Sequence, residues 1–527
     1  MSIISKWANM VAEETHLPWK HKQILEENRE RDEALVNSME QKRGMKKYWP
    51  IITSGAGLFS DGYVNNSIGS VNTILGILYP HEYKNSSAQS NVSSIAFVGT
   101  VVGQLSFGYV SDHYSRKIGM IVSTIILIVF TILGSGAWGA GGSIYGMLAA
   151  LTAYRFFIGI GIGGEYPAGS VAAAEASVLI SRGSRNRWFV IFTNFMIDFG
   201  FVVSAFVPLV LLWICGIDHL TPVWRITLGL GAIPPISLFF LRLLYKENEQ
   251  FIKNNMKRSG TPYWLATKYY FPRLVVVALI WFIYDFSAYS FGIYSSTIIS
   301  IIIPDNDLYK TFGWNVVLNL FYIPGAFLGA FASDYLGPRL SLVIGVGLQG
   351  IIGFIMAGIY EHLTHNIAGF VVMFGIFLTL GEFGPGDQIG IIASKTSATS
   401  IRGQYYGIAA AVGKIGAFVG TKSFPYIIKH FGGSETIRGN QGPFWISSGL
   451  CLFSALLALF FLPSLTQDSI TEEDERFKAY LQANGFDTSL MGETDNNDSS
   501  DSMYDDAENI IVSPDQKLEQ SEKDRAF

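Results

Sequence analysis

The amino-acid sequence predicts an all-α membrane protein with twelve transmembrane helices in two pseudo-symmetric six-helix halves. Three observations carry that prediction. Of 527 residues, 49% are hydrophobic and only 15% are charged, against roughly 25% charged in an average soluble chain. The apolar residues fall in runs of about 20, the length a helix needs to cross roughly 30 Å of hydrocarbon. These runs divide six and six around a polar stretch, 246–272, with related punctuation in each half.

Taken in order, the spans lie at 49–78, 92–111, 118–138, 145–176, 188–215 and 224–245, then 273–302, 312–333, 340–360, 367–395, 403–428 and 443–463. Residues 1–48 are polar and contain no apolar h-region, so they do not read as a signal peptide. The segment 464–527 carries 17 acids against 5 bases, a composition that predicts a disordered acidic tail. The first half is thus 49–245, the second 273–463, with 246–272 as the central loop. Arg116, Lys117, Arg182, Arg185, Arg187, Arg339, Lys395, Arg402 and the bases of the central loop all fall on one side. The positive-inside rule makes that side cytoplasmic and places both termini there. The opposite loop carries the sequons Asn85-Ser-Ser and Asn91-Val-Ser, so Asn85 and Asn91 are candidate glycosylation sites. Cys215 and Cys451 sit in or beside apolar spans and predict no disulfide framework.

The two halves echo each other. "GYVSDHYSRK" (Gly108–Lys117) follows span 2 and "AFASDYLGPR" (Ala330–Arg339) follows span 8, with Asp112 and Asp334 in register. Span 4 carries "GGEYP" and span 10 "LGEFGP", aligning Glu165 with Glu382. Such repeats mark transporters whose halves rock about a midplane site. Asp112 with Arg116, and Asp334 with Arg339, are then candidate gating pairs that bridge helix ends. Their alternative is a static surface ion pair worth ~0–1 kcal/mol.

Span 4 also contains "FFIGIGIGGEYPAG", in which Gly159, Gly161 and Gly164 have the G-x-G-x-x-G spacing of a dinucleotide loop. That motif must follow a strand, and here it lies inside a membrane helix. Glycines at this spacing instead let another helix approach closely. Glu165 is different, because an ionisable residue within a span is costly and points to function; it is a candidate proton carrier. Asp61 of span 1 is a second, with Asn65 four residues on and on the same face. In span 7, Trp281, Asp285 and Tyr289 recur at i, i+4, i+8 and so share a face. Lys414 stands among small residues halfway along span 11 and needs an anion, either a carboxylate or a ligand phosphate. Glu382 and Asp387 flank the helix-breaking "GPG" of span 10, tolerable where a helix lines a cavity. Span 5 adds Asn194 and Asp198, and Arg155 lies within span 4 with Glu382, Asp61 or helix ends as possible partners. No metal cluster, cofactor motif or nucleophile–base pair stands out, so neither a cofactor nor enzyme activity is expected.

The G-x-x-x-D-x-x-x-R-K loop resembles the signature of the major facilitator superfamily. Within it, "GIGGEYP", the Trp281–Asp285–Tyr289 series and "GKIGA" around Lys414 resemble the proton-coupled phosphate symporters. By that resemblance Tyr166, Trp281, Asp285, Tyr289 and Lys414 contact phosphate, while Asp61 and Glu165 carry protons. The chain departs from that pattern in span 10, where "EFGPGD" replaces "NFGPN" and Gly386 stands at a phosphate-contacting asparagine. In span 5, "IDFG" replaces Gln-Gly-Phe-Gly. "SDGYVNNSIG", "STIIS", "GPGD" and "SATSIRG" are similar to the fungal glycerophosphodiester permeases. The resemblance implies a plasma-membrane proton symporter for glycerophosphodiesters, embedded in lipid and without nucleic-acid partners. Glu382 and Asp387 beside aromatic residues favour glycerophosphocholine, since carboxylates and aromatic faces attract a quaternary cation. Glycerophosphoinositol, inorganic phosphate, and a nutrient-sensing role without transport are the alternatives.

Overall fold

A computed structural model describes residues 48–84, 86–180, 183–303 and 307–492. All regular structure among them is helical. Helix α1 spans 49–78 as Trp49–Gly55 and Phe59–Leu78, joined by the tighter turn Ala56–Leu58. The first half continues with α2 (Ala88–His113), α3 (Arg116–Ser135), α4 (Ile144–Ser177), α5 (Arg185–Cys215) and α6 (Leu220–Leu243). The second half holds α7 (Tyr263–Ile302) and α11 (Arg402–His430). Its remaining spans are α8 (Leu308–Tyr335), α9 (Pro338–Gly358), α10 (Ile367–Lys395) and α12 (Ile437–Phe461). A further helix, α13 (Ser469–Ala483), follows the last span.

Ten of these helices are long and apolar enough to cross a membrane by length and composition alone. Helices α1 and α11 complete the predicted twelve. They are less apolar because they face the centre of the bundle and carry buried polar residues: Asp61, Asn65 and Asn66 on α1, Lys414 on α11. Intramembrane polar groups belong on such interior faces. Within the halves, α4 packs on α2 and α3, α11 on α7, and α9 on α12. Between the halves, the seams are α2 on α11, α1 on α7 and α5 on α8.

The glycine run of α4 is a two-sided packing surface. A Cβ at Gly159 or Gly163 would collide with the α2 backbone at Ala96 and Thr100. One at Gly161 or Gly164 would meet Leu127 and Ser123 of α3. Immediately after the run, α4 widens into a π-turn over Glu165–Ser170. Helix α10 does the same over Glu382–Gly386, where Pro385 and a non-helical Gly384 interrupt the ladder. The two aligned glutamates thus open the same irregularity in each half. Bulges of this kind re-aim side chains and recur at functional sites.

Two boundaries differ from expectation. Helix α7 begins at Tyr263, not at 273, and runs through Pro272, so part of the predicted central loop is helical; the rest includes the short helix Glu249–Asn254. The predicted disordered tail contains α13, whose Ile470, Phe477 and Leu481 are buried. These residues form one apolar stripe, which an acid-rich average composition conceals. Phe477 packs against Tyr269 and Tyr270 of α7. Glu473 ion-pairs with Arg273 at 2.8 Å; burial lifts its carboxyl above the usual range, against the opposing pull of that arginine. Residues 1–47 and 493–527 lie outside the described residues.

Candidate functional site

Between the halves lies a cavity of about 50 Å³, room for a few water molecules. Its wall includes Tyr166 of α4, Asn194 and Asp198 of α5, and Trp281, Tyr284, Asp285 and Tyr289 of α7. Glu382, Gly386 and Asp387 of α10 and Lys414 of α11 complete its polar lining. The predicted substrate residues on spans 4, 7, 10 and 11 are therefore brought to one place.

One pole is built on Lys414, which is 1% exposed. Its ammonium lies 3.3 Å from Asp285 Oδ2 and 3.6 Å from Asp61 Oδ2. It donates to the Tyr289 hydroxyl and sits 5.1 Å from the Tyr166 ring centroid. Asp61 is fully buried and saturated with donors. Its Oδ1 accepts from Asn65 at 2.5 Å, as their spacing predicts. Its Oδ2 accepts from Tyr289 at 3.0 Å and from Tyr166. Trp281 closes the pole, its ring 6.3 Å from Tyr166 and 5.4 Å from Tyr406. One cation thus sits between two carboxylates with three aromatic residues around it, a set that can exchange a carboxylate for an incoming anion.

The other pole is acidic. Asn194 donates to Glu382 Oε2 at 3.1 Å and to Asp387 Oδ1 at 2.8 Å. Tyr284 donates to Glu382 Oε1 at 2.7 Å. The π-turn of α10 aims Glu382 and Asp387 at the same amide, and Gly386 beside them lets Glu382 and Tyr284 pack close. A Cβ there would strike Glu382 and the Tyr284 hydroxyl.

Other predicted residues go elsewhere. Glu165 does not reach the cavity. It forms a two-pronged ion pair with Arg242 of α6, at 2.6 Å on each side, and accepts from Ser123 at 2.9 Å. Arg242 also donates to Thr124 at 2.6 Å. The expectation of Glu165 as a free intramembrane acid overlooked this arginine. Its signal was an ionisable residue within the sixth apolar span, in "LFFLRLLYK". Arg155 contacts neither carboxylate considered for it; it donates to the Val92 and Val64 carbonyls, at 2.7 and 3.3 Å. Asn91 is exposed on the first turn of α2, and its Oδ1 accepts from Lys422 at 2.8 Å. Asn85 lies outside the described residues.

On the basic face, Asp112 and Arg116 pair at 2.6 Å and are buried between the halves. Asp112 also accepts from the Gly403 and Gln404 amides, at 2.8 and 2.7 Å, so a first-half aspartate caps the N-terminus of α11. Arg116 continues to Glu175, which is shared with Arg402. The pair is not the solvated surface ion pair that was its alternative. Asp334 reaches across the halves to Arg187 at 3.7 Å and also accepts from Gln467 at 3.1 Å. Arg339 donates to the Leu462 carbonyl at 3.2 Å. Cross-half contacts also close the opposite face, where Asn66 donates to Asn319 at 2.9 Å and Tyr309 to the Leu212 carbonyl at 3.4 Å. Contacts between the halves thus lie on both sides of the cavity.

Known proteins resemble this chain in sequence or in fold. A Candida albicans protein named Glycerophosphocholine permease GIT4 is 55% identical over 93% of this chain and 91% of its own length. Major glycerophosphoinositol permease GIT3, from the same organism, is 53% identical over 92% of each chain. Among solved structures, the proton:xylose symporter XylE superposes with a TM-score of 0.67 at 17% identity, over 82% of this chain and 98% of that one. That likeness is one of fold, the major facilitator fold. The sequence signature described as "Sugar (and other) transporter" matches residues 49–261 and 244–477, most of the chain. This membrane-spanning chain belongs to that transporter family.

Proposed function

We propose that this protein imports glycerophosphodiesters across the plasma membrane by proton-coupled alternating access, with glycerophosphocholine as its preferred substrate. The observation that carries the reading is the two-pole cavity. Lys414, held between Asp61 and Asp285, is a partner for a monoanionic phosphodiester. The carboxyls of Glu382 and Asp387, with the aromatic ring of Tyr284, suit a quaternary ammonium. A zwitterion of opposite polarity matches both ends, and the name of the relative GIT4 agrees with it. Inorganic phosphate would leave the acidic pole unmatched. The inositol ester is the second reading, favoured by GIT3 and by carboxylates that can accept sugar hydroxyls.

In this scheme the basic face is cytoplasmic. With that face latched, the outward side opens, Asp61 takes a proton, and its hold on Lys414 relaxes. The phosphodiester then replaces the carboxylate at the ammonium, the halves close, and the Asp112 latch parts to release substrate inward. Protonating Asp61 and binding the anion reinforce each other, because each leaves the other's partner free. The membrane potential supplies ~2.3 kcal/mol per charge per 100 mV and each pH unit about 1.4 kcal/mol per proton. Glu165, tied to Arg242, is assigned to joining α4 to α6 rather than to the proton path.

Uptake of labelled glycerophosphocholine by cells expressing this chain tests the reading. Unlabelled glycerophosphocholine is expected to compete at lower concentration than glycerophosphoinositol or phosphate. Strong competition by the inositol ester alone would reverse the order of substrates.

A further inference from the structure

The acidic pole has a donor deficit that the mechanism above does not use. Asp198 of α5, Glu382 and Asp387 present six carboxyl oxygens to one wall. Three receive donors, from Tyr284 and from both hydrogens of Asn194. Both oxygens of Asp198, and Asp387 Oδ2, receive none from the described residues. Asp198 is fully buried and lines the cavity; the charged groups acting on it are Glu382 and Asp387.

Among the described residues, no cation of the wall relieves these acids. The elements packed there contribute Tyr284 and Asp285 from α7, Tyr322 from α8 and Asn194 from α5. Lys414 of α11 is engaged by Asp61 and Asp285. A buried carboxylate without a counter-ion costs several kcal/mol, and three together repel one another besides. Such a set resolves in one of two ways: it binds protons, or it binds a cation.

We infer that Asp198, Glu382 and Asp387 form a monocation subsite, filled either by a quaternary ammonium headgroup or by a proton shared between carboxyls, with Asp198 as the headgroup selector. The inference rests on the transport reading above and extends it to stoichiometry. With an uncharged headgroup, the Asp198–Glu382 pair enters the cycle holding one proton, which one carboxyl donates to the other. That proton is taken up outside and released inside with the substrate. A trimethylammonium group takes the proton's place, so the choline ester travels with one proton fewer than the inositol ester. The choline ester is a zwitterion and the inositol ester a monoanion. The net charge moved per molecule is therefore the same for both.

Both quantities can be measured on the full chain in voltage-clamped oocytes, combining labelled uptake with current and surface-pH recording. The expected result is an equal charge per molecule for glycerophosphocholine and glycerophosphoinositol, and a proton count lower by one for the choline ester. D198N is expected to lower choline-ester uptake at least tenfold relative to inositol-ester uptake, and D198E to restore the ratio in part. Equal proton counts in the wild-type chain would overturn the subsite, and this measurement needs no variant to fold. Equal loss of both substrates in a surface-expressed D198N would also overturn it. A wild-type chain that moves neither ester would instead overturn the transport reading itself.

Discussion

Asp61 and Glu165 are both intramembrane acids, yet their surroundings differ. Asp61 sits behind the cavity wall, where it accepts from two tyrosine hydroxyls and an asparagine amide and lies beside Lys414 of that wall. Glu165 is gripped at both oxygens by Arg242, with Ser123 donating to Oε1, in a site 1% exposed. Removing one partner of a buried pair strands the other charge, at a cost of about 3–5 kcal/mol, whereas replacing both with apolar groups is often near neutral. E165Q and R242L are accordingly expected to lower thermal stability in detergent, each by several degrees. The double variant E165L/R242L should recover most of that loss, as read by fluorescence melting. A double variant as unstable as the sum of the singles would mean that the two residues act separately.

At the scale of elements, the sharpest feature is the junction of α2, α3 and α11. Asp112 caps α11 with both oxygens while holding Arg116, combining a helix N-cap with a charge complementary to that helix end. The cap belongs to one half and the helix to the other, so it exists only while the basic face is closed. D112N keeps the shape but loses the charge, and is expected to favour opening of that face. A cysteine placed on the cavity-facing side of α10 should then be labelled faster by a membrane-impermeant maleimide applied to the basic face. Unchanged labelling would show that the cap is incidental to the closed state. The glycines of α4 serve the same junction differently, keeping α2 and α3 close enough for the basic-face network to form.

For the whole molecule, simultaneous contacts across both faces define a closed state around a cavity too small for a phosphodiester. Transport then requires the seams to part in turn. Asn66 and Asn319 meet across the seam opposite the basic face. N66C/N319C is therefore expected to form a disulfide on mild oxidation, stop uptake, and regain it with reductant. Uptake that survives complete cross-linking would place the moving seam elsewhere. On the basic face, α13 packs along α7, and Asp474 accepts from the Thr399 amide at 2.5 Å, tying this helix to the second half.

The sequence by itself determined the twelve spans, the division into halves and most of the polar residues of the cavity wall. Apolar runs report hydrocarbon thickness, and a charge inside such a run is too costly to be incidental. Asp285, Glu382, Asp387 and Lys414 were legible for that reason, and Trp281 and Tyr289 because their spacing puts them on one face with Asp285. Partnership was not legible, because it joins helices far apart in the chain. Only the packed bundle decided that Arg242, 77 positions from Glu165, would neutralise it, while Asp198 would receive no donor from the described residues. The segment after 464 makes the same point in reverse. Its average composition describes a solvated acidic chain, but Phe477 and Leu481 find a pocket on α7 that exists only once the helices have assembled. A buried charge announces itself in one dimension; whether it is paired, shared or left open for a ligand is settled in three.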